Sequence, residues 1–366
     1  MKRGHRFLAG TLGAVGLVAA AGRAISRSSP TLQEDDALGS LRGEAVTLRG
    51  PRASQIYAER FPGTKGTIIL THGWCLNEAV WHHQKAALAE AGFTVVAWDL
   101  PGHGASTPVA RGHLTLELAV DALSRVIERF TDPLGTVLVG HSLGGVLTLA
   151  YLAGRDDARL RGVKGAVFVS TPLMHFARSI AGRWPGASLE ARALGSVMEF
   201  VVSNPALDRL FAGGVGEART APLSYRMVRV GFGRDPSPAH VRFVRDIIAT
   251  VPPQTRVDTF RAMTGYDLSG ALDAVTTPSL VIVGGRDRLV NPAESRLIGE
   301  RLPRARTVVF PEAGHAAFLE RSEEFNAELI AFAERRLRPG RPPASRRAGA
   351  AGHARGAGRP VRSPAS

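Results

Sequence analysis

The sequence contains a single cysteine, Cys75, in 366 residues, and neither of its two ends contains an acidic residue. One cysteine excludes an internal disulfide and any metal site with several cysteine ligands, and it says nothing about the cellular compartment. Residues 1–30 and 335–366 carry five and nine basic residues, which together account for the formal net charge of +14. The chain between them is therefore neutral overall, and we expect no specific nucleic-acid binding by the folded body.

The N-terminal segment begins with basic residues, MKRGHR, and then has no charge for sixteen residues, from Phe7 to Gly22. This layout is typical of a secretory signal peptide or an N-terminal membrane anchor, which we assign to residues 1–30. The uncharged stretch is short for a helix that crosses a bilayer, which needs about 20 residues, and Ala19–Ala20–Ala21 would suit a cleavage site. A soluble helix is the alternative, although the segment is apolar on all sides. We expect export or membrane attachment, with cleavage left open.

Residues 337–366 almost lack large apolar side chains and consist mainly of Arg, Pro, Gly, Ala and Ser. Such a segment cannot bury enough surface to offset the entropy of ordering its backbone. We therefore predict a disordered tail. A polyanion could bind its arginines, but a solvated tail needs no partner.

Between these ends, short hydrophobic segments alternate with helical patterns. The predicted buried strands are Thr67–Leu70, Thr94–Trp98, Thr136–Val139, Ala166–Val169, Leu280–Val283 and Thr307–Phe310. They are almost continuously hydrophobic, as expected for strands that are covered on both faces. Ala45–Arg49 and Ser54–Glu59 could add an antiparallel edge. The alternation predicts a mostly parallel sheet of about eight strands with helices on both faces.

The clearest helical pattern follows a cap residue, Thr115. Its apolar residues recur at steps of four and three: Leu116, Val120, Leu123, Ile127 and Phe130. The strand pattern then breaks between Thr171 and about Met263 and resumes at Leu280. Because the pattern resumes, we predict one helical insertion, residues 172–263, within a core of residues 44–171 and 264–336, rather than a second independent domain.

The stretch LVGHSLGG places Ser142 after a predicted strand and before a predicted helix. With 41 glycines in the chain, the pattern G-x-S-x-G alone decides little. A sharp strand-to-helix turn exposes a serine hydroxyl only if the flanking backbone bends tightly, which Gly140, Gly144 and Gly145 permit. Any tight turn between a strand and a helix would also explain the glycines, but this position favours a nucleophile.

A serine nucleophile needs a histidine base, which follows it in the chain on this kind of sheet. Four histidines come after Ser142, and they are His175, His240, His315 and His353. The first two fall in the insertion and the last in the tail. His315, just past the last predicted strand, could therefore reach Ser142 from the carboxyl edge of the sheet.

The acid that orients the base must come between Ser142 and His315. The strand ending at Val283 runs into Gly284–Gly285–Arg286–Asp287, whereas the preceding strand ends in Ser170–Thr171–Pro172 and offers no carboxylate. Asp287 is therefore the predicted acid. A salt bridge between Asp287 and a neighbouring arginine is the alternative. Backbone N–H groups of Trp74 and Leu143 are the predicted donors to the oxyanion.

Together these motifs resemble the α/β-hydrolase fold family over about residues 44–335. The matching segments are the oxyanion loop His72–Gly73–Trp74, the D-x-x-G-x-G-x-S turn Asp99–Ser106, the nucleophile elbow Gly140–Gly144, and the acid and base segments Gly285–Asp287 and Gly314–His315. The resemblance implies an α/β-hydrolase sheet with an inserted helical cap, and it gives Asp99 and His103 a structural role. The N-terminus and HGWCLN are also similar to actinobacterial esterases with exported or anchored N-termini, which implies a bacterial cell-envelope location, membrane-anchored or secreted.

The implied activity is hydrolysis of carboxylic esters through an acyl-enzyme, with a small-molecule ester or lipid as substrate and no metal or organic cofactor. Cofactor-free perhydrolysis, C–C hydrolysis, or a non-catalytic binding module on the same scaffold are the alternatives. A lipophilic acyl pocket is expected from the apolar side chains of the insertion, which are Leu173, Met174, Phe176, Trp184, Phe200, Phe211, Met227 and Phe232. Cys75 is expected to be a buried inert thiol, and His82 and His83 to lie on a helix surface.

Overall fold

A computed structural model describes residues 37–110, 112–154, 160, 162–173, 204, 221–264 and 266–337. Eight strands form one sheet: β1 (Glu44–Arg49), β2 (Gln55–Phe61), β3 (Thr67–Thr71), β4 (Thr94–Trp98), β5 (Thr136–His141), β6 (Val163–Val169), β7 (Ser279–Gly284) and β8 (Ala305–Phe310). Their order is β1-β2-β4-β3-β5-β6-β7-β8. Strand β2 pairs antiparallel with β1 and β4, and all other pairs are parallel. The predicted fold class is confirmed.

The helices of the described chain cover both faces of the sheet. They are α1 (His82–Glu90), α2 (Leu116–Phe130), α3 (Leu143–Ala153), α4 (Ala221–Arg229), α5 (Pro238–Thr250), α6 (Pro253–Thr264), α7 (Pro292–Arg301), α8 (Ala317–Glu320) and α9 (Ser322–Arg336). Thr115 caps α2 as expected, because its side chain accepts the N–H of Leu118. Helices α2, α3 and α7 pack on one face, while α1, α5 and α9 pack on the other.

The central strands are buried on both faces because alternate side chains enter the two hydrophobic clusters. Ile69 and Leu138 face the α2–α3 side, whereas Ile68 and Val137 face the α1–α9 side. This two-sided burial explains why these strands read as continuous hydrophobic runs in the sequence. All the parallel strands present their carboxyl ends at one edge, here called the carboxyl edge, where Ser142 and Asp287 follow β5 and β7.

Between β6 and β7, the described part of the chain contains helices α4, α5 and α6, a 3-10 helix at Ser269–Ala274, and connecting loops. Helix α5 packs firmly on the core, because Val241, Val244 and Ile247 are buried in the same cluster as α1 and α9. Residues 1–36 and 338–366 lie outside the described residues, so the predicted anchor and tail stay predictions. Leu337, which we assigned to the tail, is buried and is the C-cap residue of α9. None of the described helices combines the length and apolarity needed to cross a bilayer.

Candidate active site

Ser142 occupies a sharp turn between β5 and α3. Its φ of 52° and ψ of −116° lie outside the conformations that non-glycine residues readily adopt. The strand and the helix come very close here, since a Cβ on Gly140 would lie 2.3 Å from Gly144 O. The N–H of Ser142 donates to Val169 O on β6 at 2.9 Å, which fastens the turn to the sheet. The next N–H, that of Leu143, opens helix α3 and has no intrahelical acceptor.

Asp287 and His315 form a direct pair. Asp287 Oδ2 lies 2.7 Å from His315 Nδ1. The other carboxylate oxygen accepts the backbone N–H groups of Leu289 and Val290 at 2.8 and 2.9 Å. These two donors fix the position of the Asp287 side chain, which is only 1% exposed. Because His315 donates from Nδ1, its Nε2 carries the lone pair when the ring is neutral.

His141 connects the serine turn with the histidine loop. It directly precedes Ser142, and its ring centroid lies 4.6 Å from that of His315. Its Nε2–H donates to the carbonyl of His315 at 3.0 Å. Burial, followed by the nearby His315 ring, lowers the pKa of His141 well below its usual value, so this ring is neutral. The structure thus pairs Asp287 with His315 directly, and it places His315 beside His141, the residue that precedes Ser142.

The predicted oxyanion loop lies directly against the serine. A Cβ on Gly73 would come within 3.1 Å of Ser142 Cβ, so only glycine fits without a shift of its neighbours. The Gly73 carbonyl accepts the Nδ1–H of His72 at 2.8 Å, and the N–H of Leu100 donates to His72 Nε2 at 3.0 Å, which fixes this tautomer. The peptide is planar and trans, so the N–H of Trp74 points opposite to this carbonyl. His72 therefore sets the direction of the predicted oxyanion donor.

The side chain of Trp74 links this loop to the insertion. Its indole N–H donates to the carbonyl of Arg256 on α6 at 3.1 Å. Its ring also packs against Phe260 on the same helix, with centroids 5.5 Å apart. The buried Arg256 guanidinium donates in turn to the Val251 carbonyl just before α6. These contacts therefore connect the position of α6 with that of the oxyanion loop.

Glu320 is a site residue that sequence reasoning missed. One of its oxygens accepts the N–H of Gly314, beside the base, at 2.8 Å, and the other accepts the N–H of Gly233, after α4, at 2.7 Å. Gly231 O accepts the N–H of His315 at 2.6 Å. Burial raises the pKa of Glu320, although the two backbone donors oppose this shift. The only sequence signal was an acidic residue five positions after His315.

Two other interpretations of the sequence can be compared with the structure. Asp99 has the structural contacts that the resemblance implies, because its two oxygens accept the N–H groups of Glu78 and Ala105, each at 2.8 Å. Burial raises the pKa of Asp99 to about 7. His82 and His83, which we expected on a helix surface, are each partly exposed at the start of α1. His83 Nε2 lies 3.3 Å from His240 Nε2 on α5, and His82 Nδ1 accepts the N–H of Gly39.

The apolar residues that we assigned to the acyl pocket divide into two groups. Leu173 and Phe232 are almost fully buried in the two clusters of the core, and Met227 is half-buried. Met174, Phe176, Trp184, Phe200 and Phe211 lie outside the described residues. Cys75 is buried as expected and adopts a φ of 59° in the oxyanion loop.

Comparison with known proteins identifies the family of this chain. Residues 68–328 match the alpha/beta hydrolase family. The chain is 29% identical over 271 residues to a pimeloyl-[acyl-carrier protein] methyl ester esterase of Nitrosomonas europaea, which covers 72% of this chain and 94% of the relative. It is 28% identical over 348 residues, 91% of its length, to polyketide synthase ThaQ of Burkholderia thailandensis, and spans only 15% of that protein.

Solved structures share the fold. An esterase from Exiguobacterium antarcticum superposes with a TM-score of 0.66 at 19% identity, covering 80% of this chain and 100% of that one. A bromoperoxidase from Bacillus anthracis gives a TM-score of 0.64 at 23% identity, with coverages of 79% and 99%. The family model matches most of the chain, and the sheet order and the sharp turn at Ser142 are consistent with this match. The protein belongs to the alpha/beta hydrolase family.

Proposed function

We propose that this protein hydrolyses carboxylic esters through an acyl-enzyme, with Ser142 as the nucleophile, His315 as the base and Asp287 as the acid that orients it. The observation that carries the proposal is the 2.7 Å contact of His315 Nδ1 with Asp287 Oδ2, beside the strained elbow of Ser142. Membership of the family and the esterase names of the relatives support the reaction class.

In the first half-reaction, His315 Nε2 takes the proton of Ser142 Oγ while this oxygen attacks the ester carbonyl carbon. Backbone N–H groups of Trp74 and Leu143 donate to the oxyanion, and Asp287 stabilises the imidazolium. The proton then passes from Nε2 to the leaving alkoxide, which departs as the alcohol. In the second half-reaction, water gives a proton to Nε2 and attacks the acyl carbon, and the proton returns to Ser142 as the acid is released.

We further propose a lipophilic substrate of short to medium acyl length. The apolar side chains of the insertion support this, and so does the relatives' name, which specifies a methyl ester of an acyl group. Each buried methylene contributes about 0.8 kcal/mol, so activity should rise with chain length until the pocket ends. In a panel of p-nitrophenyl esters from acetyl to palmitoyl, we expect an optimum at roughly four to ten acyl carbons. Best activity on the acetyl ester would contradict the lipophilic pocket and leave the triad untouched.

The experiment that tests the enzyme itself is covalent labelling with a fluorophosphonate. The probe should modify one residue, Ser142, identified by peptide mass spectrometry, and Ser142→Ala should abolish the labelling. Absence of labelling in a folded, full-length chain would favour a binding module on a hydrolase scaffold instead.

The proposed location is the cell envelope, through the uncharged segment that begins at Phe7. Full-length protein should therefore sediment with membranes or be found outside the cytoplasm. Uncleaved protein found entirely in the cytosol would contradict this part of the proposal.

A further inference from the structure

The loop that carries His315 lies directly against the insertion. The N–H of His315 donates to Gly231 O at 2.6 Å, and the N–H of Arg234 donates to Glu312 O at 3.1 Å. Residues 312–315 are here called the base loop, and residues 231–234, between α4 and α5, the insertion segment. Two backbone hydrogen bonds therefore join the insertion to the loop of the proposed base.

Two glycines allow the two backbones to come this close. A Cβ on Gly233 would lie 2.0 Å from the carbonyl oxygen of Glu312, and a Cβ on Gly314 would lie 2.5 Å from the carbonyl carbon of Phe232. A larger residue at either position would push the segments apart. The position of the base loop therefore depends on that of the insertion segment.

The carboxylate of Glu320 bridges the two segments. Its Oε1 accepts the N–H of Gly314 in the base loop at 2.8 Å, and its Oε2 accepts the N–H of Gly233 in the insertion segment at 2.7 Å. Hydrogen bonds to an ionised acceptor are about twice as strong as those between neutral groups. Glu320 ends α8, whose other side chains are buried, so the bridge is built on the packed core.

The groups around the bridge are held as well. Arg229, the last residue of α4, donates from Nη1 to the carbonyl of Gly233 at 2.7 Å. On the other side, His141 donates to the carbonyl of His315 at 3.0 Å. The backbone of the proposed base is thus held by three partners, which are Glu320, the insertion segment and the residue before Ser142.

We infer that Glu320 is a positioning residue for His315, and that it acts by joining the base loop to the insertion segment. The inference rests on the proposed function, because it takes His315 as the base. A displacement of about 1 Å in a reacting group can lower a rate roughly 100-fold. Full turnover therefore requires that the insertion segment stays docked on the base loop.

The first test is steady-state kinetics of Glu320→Gln and Glu320→Ala in the full-length chain, on one p-nitrophenyl ester. Glutamine keeps one acceptor and turns an amide N–H toward the other backbone donor, whereas alanine removes both acceptors. We expect kcat to fall about 10-fold and about 100-fold respectively, with KM within about threefold. The matched control is Glu324→Gln, which removes an exposed carboxylate paired with Arg321 and should keep kcat within about twofold.

Urea unfolding of the same variants distinguishes positioning from a purely structural role. A Glu320→Gln variant that is less stable but, when fully folded, keeps the kcat of the unchanged chain would overturn the inference. An equal loss of kcat in Glu324→Gln would do the same, because the effect would then not depend on the bridge.

Hydrogen–deuterium exchange tests the bridge without measuring activity. In folded Glu320→Ala, exchange should become faster in residues 229–234 and in residues 312–320 together, since both N–H groups lose their acceptor. An unchanged rate in either segment would show that Glu320 does not join them.

Fluorophosphonate labelling of the unchanged chain separates a failure of this inference from a failure of the proposed function. A chain that is labelled at Ser142, with undiminished kcat in Glu320→Gln, would overturn only the role of Glu320. A folded chain that takes no label and hydrolyses no ester would overturn the proposed function and the role of Glu320 with it.

Discussion

Two aspartates at the carboxyl edge of the sheet differ in what their carboxylates bind. Asp99 follows β4 and Asp287 follows β7, each is 1% exposed, and each accepts two backbone N–H groups. Asp99 uses one oxygen for each donor, whereas Asp287 uses a single oxygen for both. Asp287 Oδ2 accepts the Nδ1–H of His315 at 2.7 Å. His72 Nε2 is 3.9 Å from Asp99 Oδ1, and this nitrogen already accepts the N–H of Leu100.

Burial and position at the sheet edge therefore do not distinguish a catalytic acid from a structural one. The feature that distinguishes the proposed catalytic acid is a carboxylate oxygen that accepts the N–H of a histidine ring, while the other nitrogen of that ring can take a proton. His315 meets this condition. Both nitrogens of His72 are occupied by backbone partners, so the pair of His72 and Asp99 can only hold the oxyanion loop in place.

Replacing each aspartate in turn should separate the two roles. Asp287→Asn should lower kcat about 1,000- to 10,000-fold with little change in the free energy of unfolding, because the histidine loses its oriented tautomer. Asp99→Asn should instead lower the free energy of unfolding and leave kcat almost unchanged. It leaves one buried N–H facing an amide group, which costs about 1–3 kcal/mol of unfolding free energy, while kcat stays within tenfold. Steady-state kinetics and urea unfolding of both variants measure this contrast, and a larger loss of kcat in Asp99→Asn would reverse our assignment.

Three buried histidines, His72, His103 and His141, predict how stability depends on pH. Burial lowers the pKa of His103 to about 4, and it lowers the pKa values of His72 and His141 well below the usual value. Unfolding restores the ordinary value near 6.5, so the unfolded chain binds more protons below that pH. The contribution of these neutral histidines is complete above about pH 6.5 and is lost as pH falls toward 4, by up to about 1.4 kcal/mol per pH unit for each histidine. Asp99, whose pKa burial raises to about 7, changes stability in the opposite direction over this range.

Urea unfolding between pH 7 and pH 5 checks this dependence. His103→Asn can keep a donor to the Pro101 carbonyl and removes one titrating group, so the pH slope should fall by up to about 1.4 kcal/mol per unit. An unchanged slope in His103→Asn would mean that other groups cause the acid destabilisation.

The smallest expected effect concerns the link between Trp74 and α6. Trp74→Phe keeps an aromatic ring beside Phe260 and removes the indole N–H that Arg256 O accepts. Loss of a hydrogen bond worth about 1 kcal/mol should lower kcat/KM roughly fivefold. The change should appear in kcat rather than KM if the loop positions the oxyanion donor. A pure change in KM would place Trp74 in substrate binding.

Residues whose role follows from neighbours along the chain could be predicted from sequence. Ser142 and Asp287 each follow a strand that is buried on both faces, and glycines or a strand end mark each turn. His315 follows β8, which we predicted to be buried but which is a partly exposed edge strand. Glu320 and Arg256 could not be identified, because their partners are distant in sequence: 87 residues separate Glu320 from Gly233, and 182 separate Trp74 from Arg256. The contact of His83 with His240 could not be predicted for the same reason, since 157 residues separate the two.

The central claim is that Ser142 and His315 act as one catalytic unit. The most direct test compares kcat for Ser142→Ala, His315→Ala and the double variant on one p-nitrophenyl ester. The account predicts that all three lose turnover to about the same extent, because removing either residue already disables the proton transfer and the attack. A double variant much slower than both single variants, with the losses multiplying, would contradict the claim.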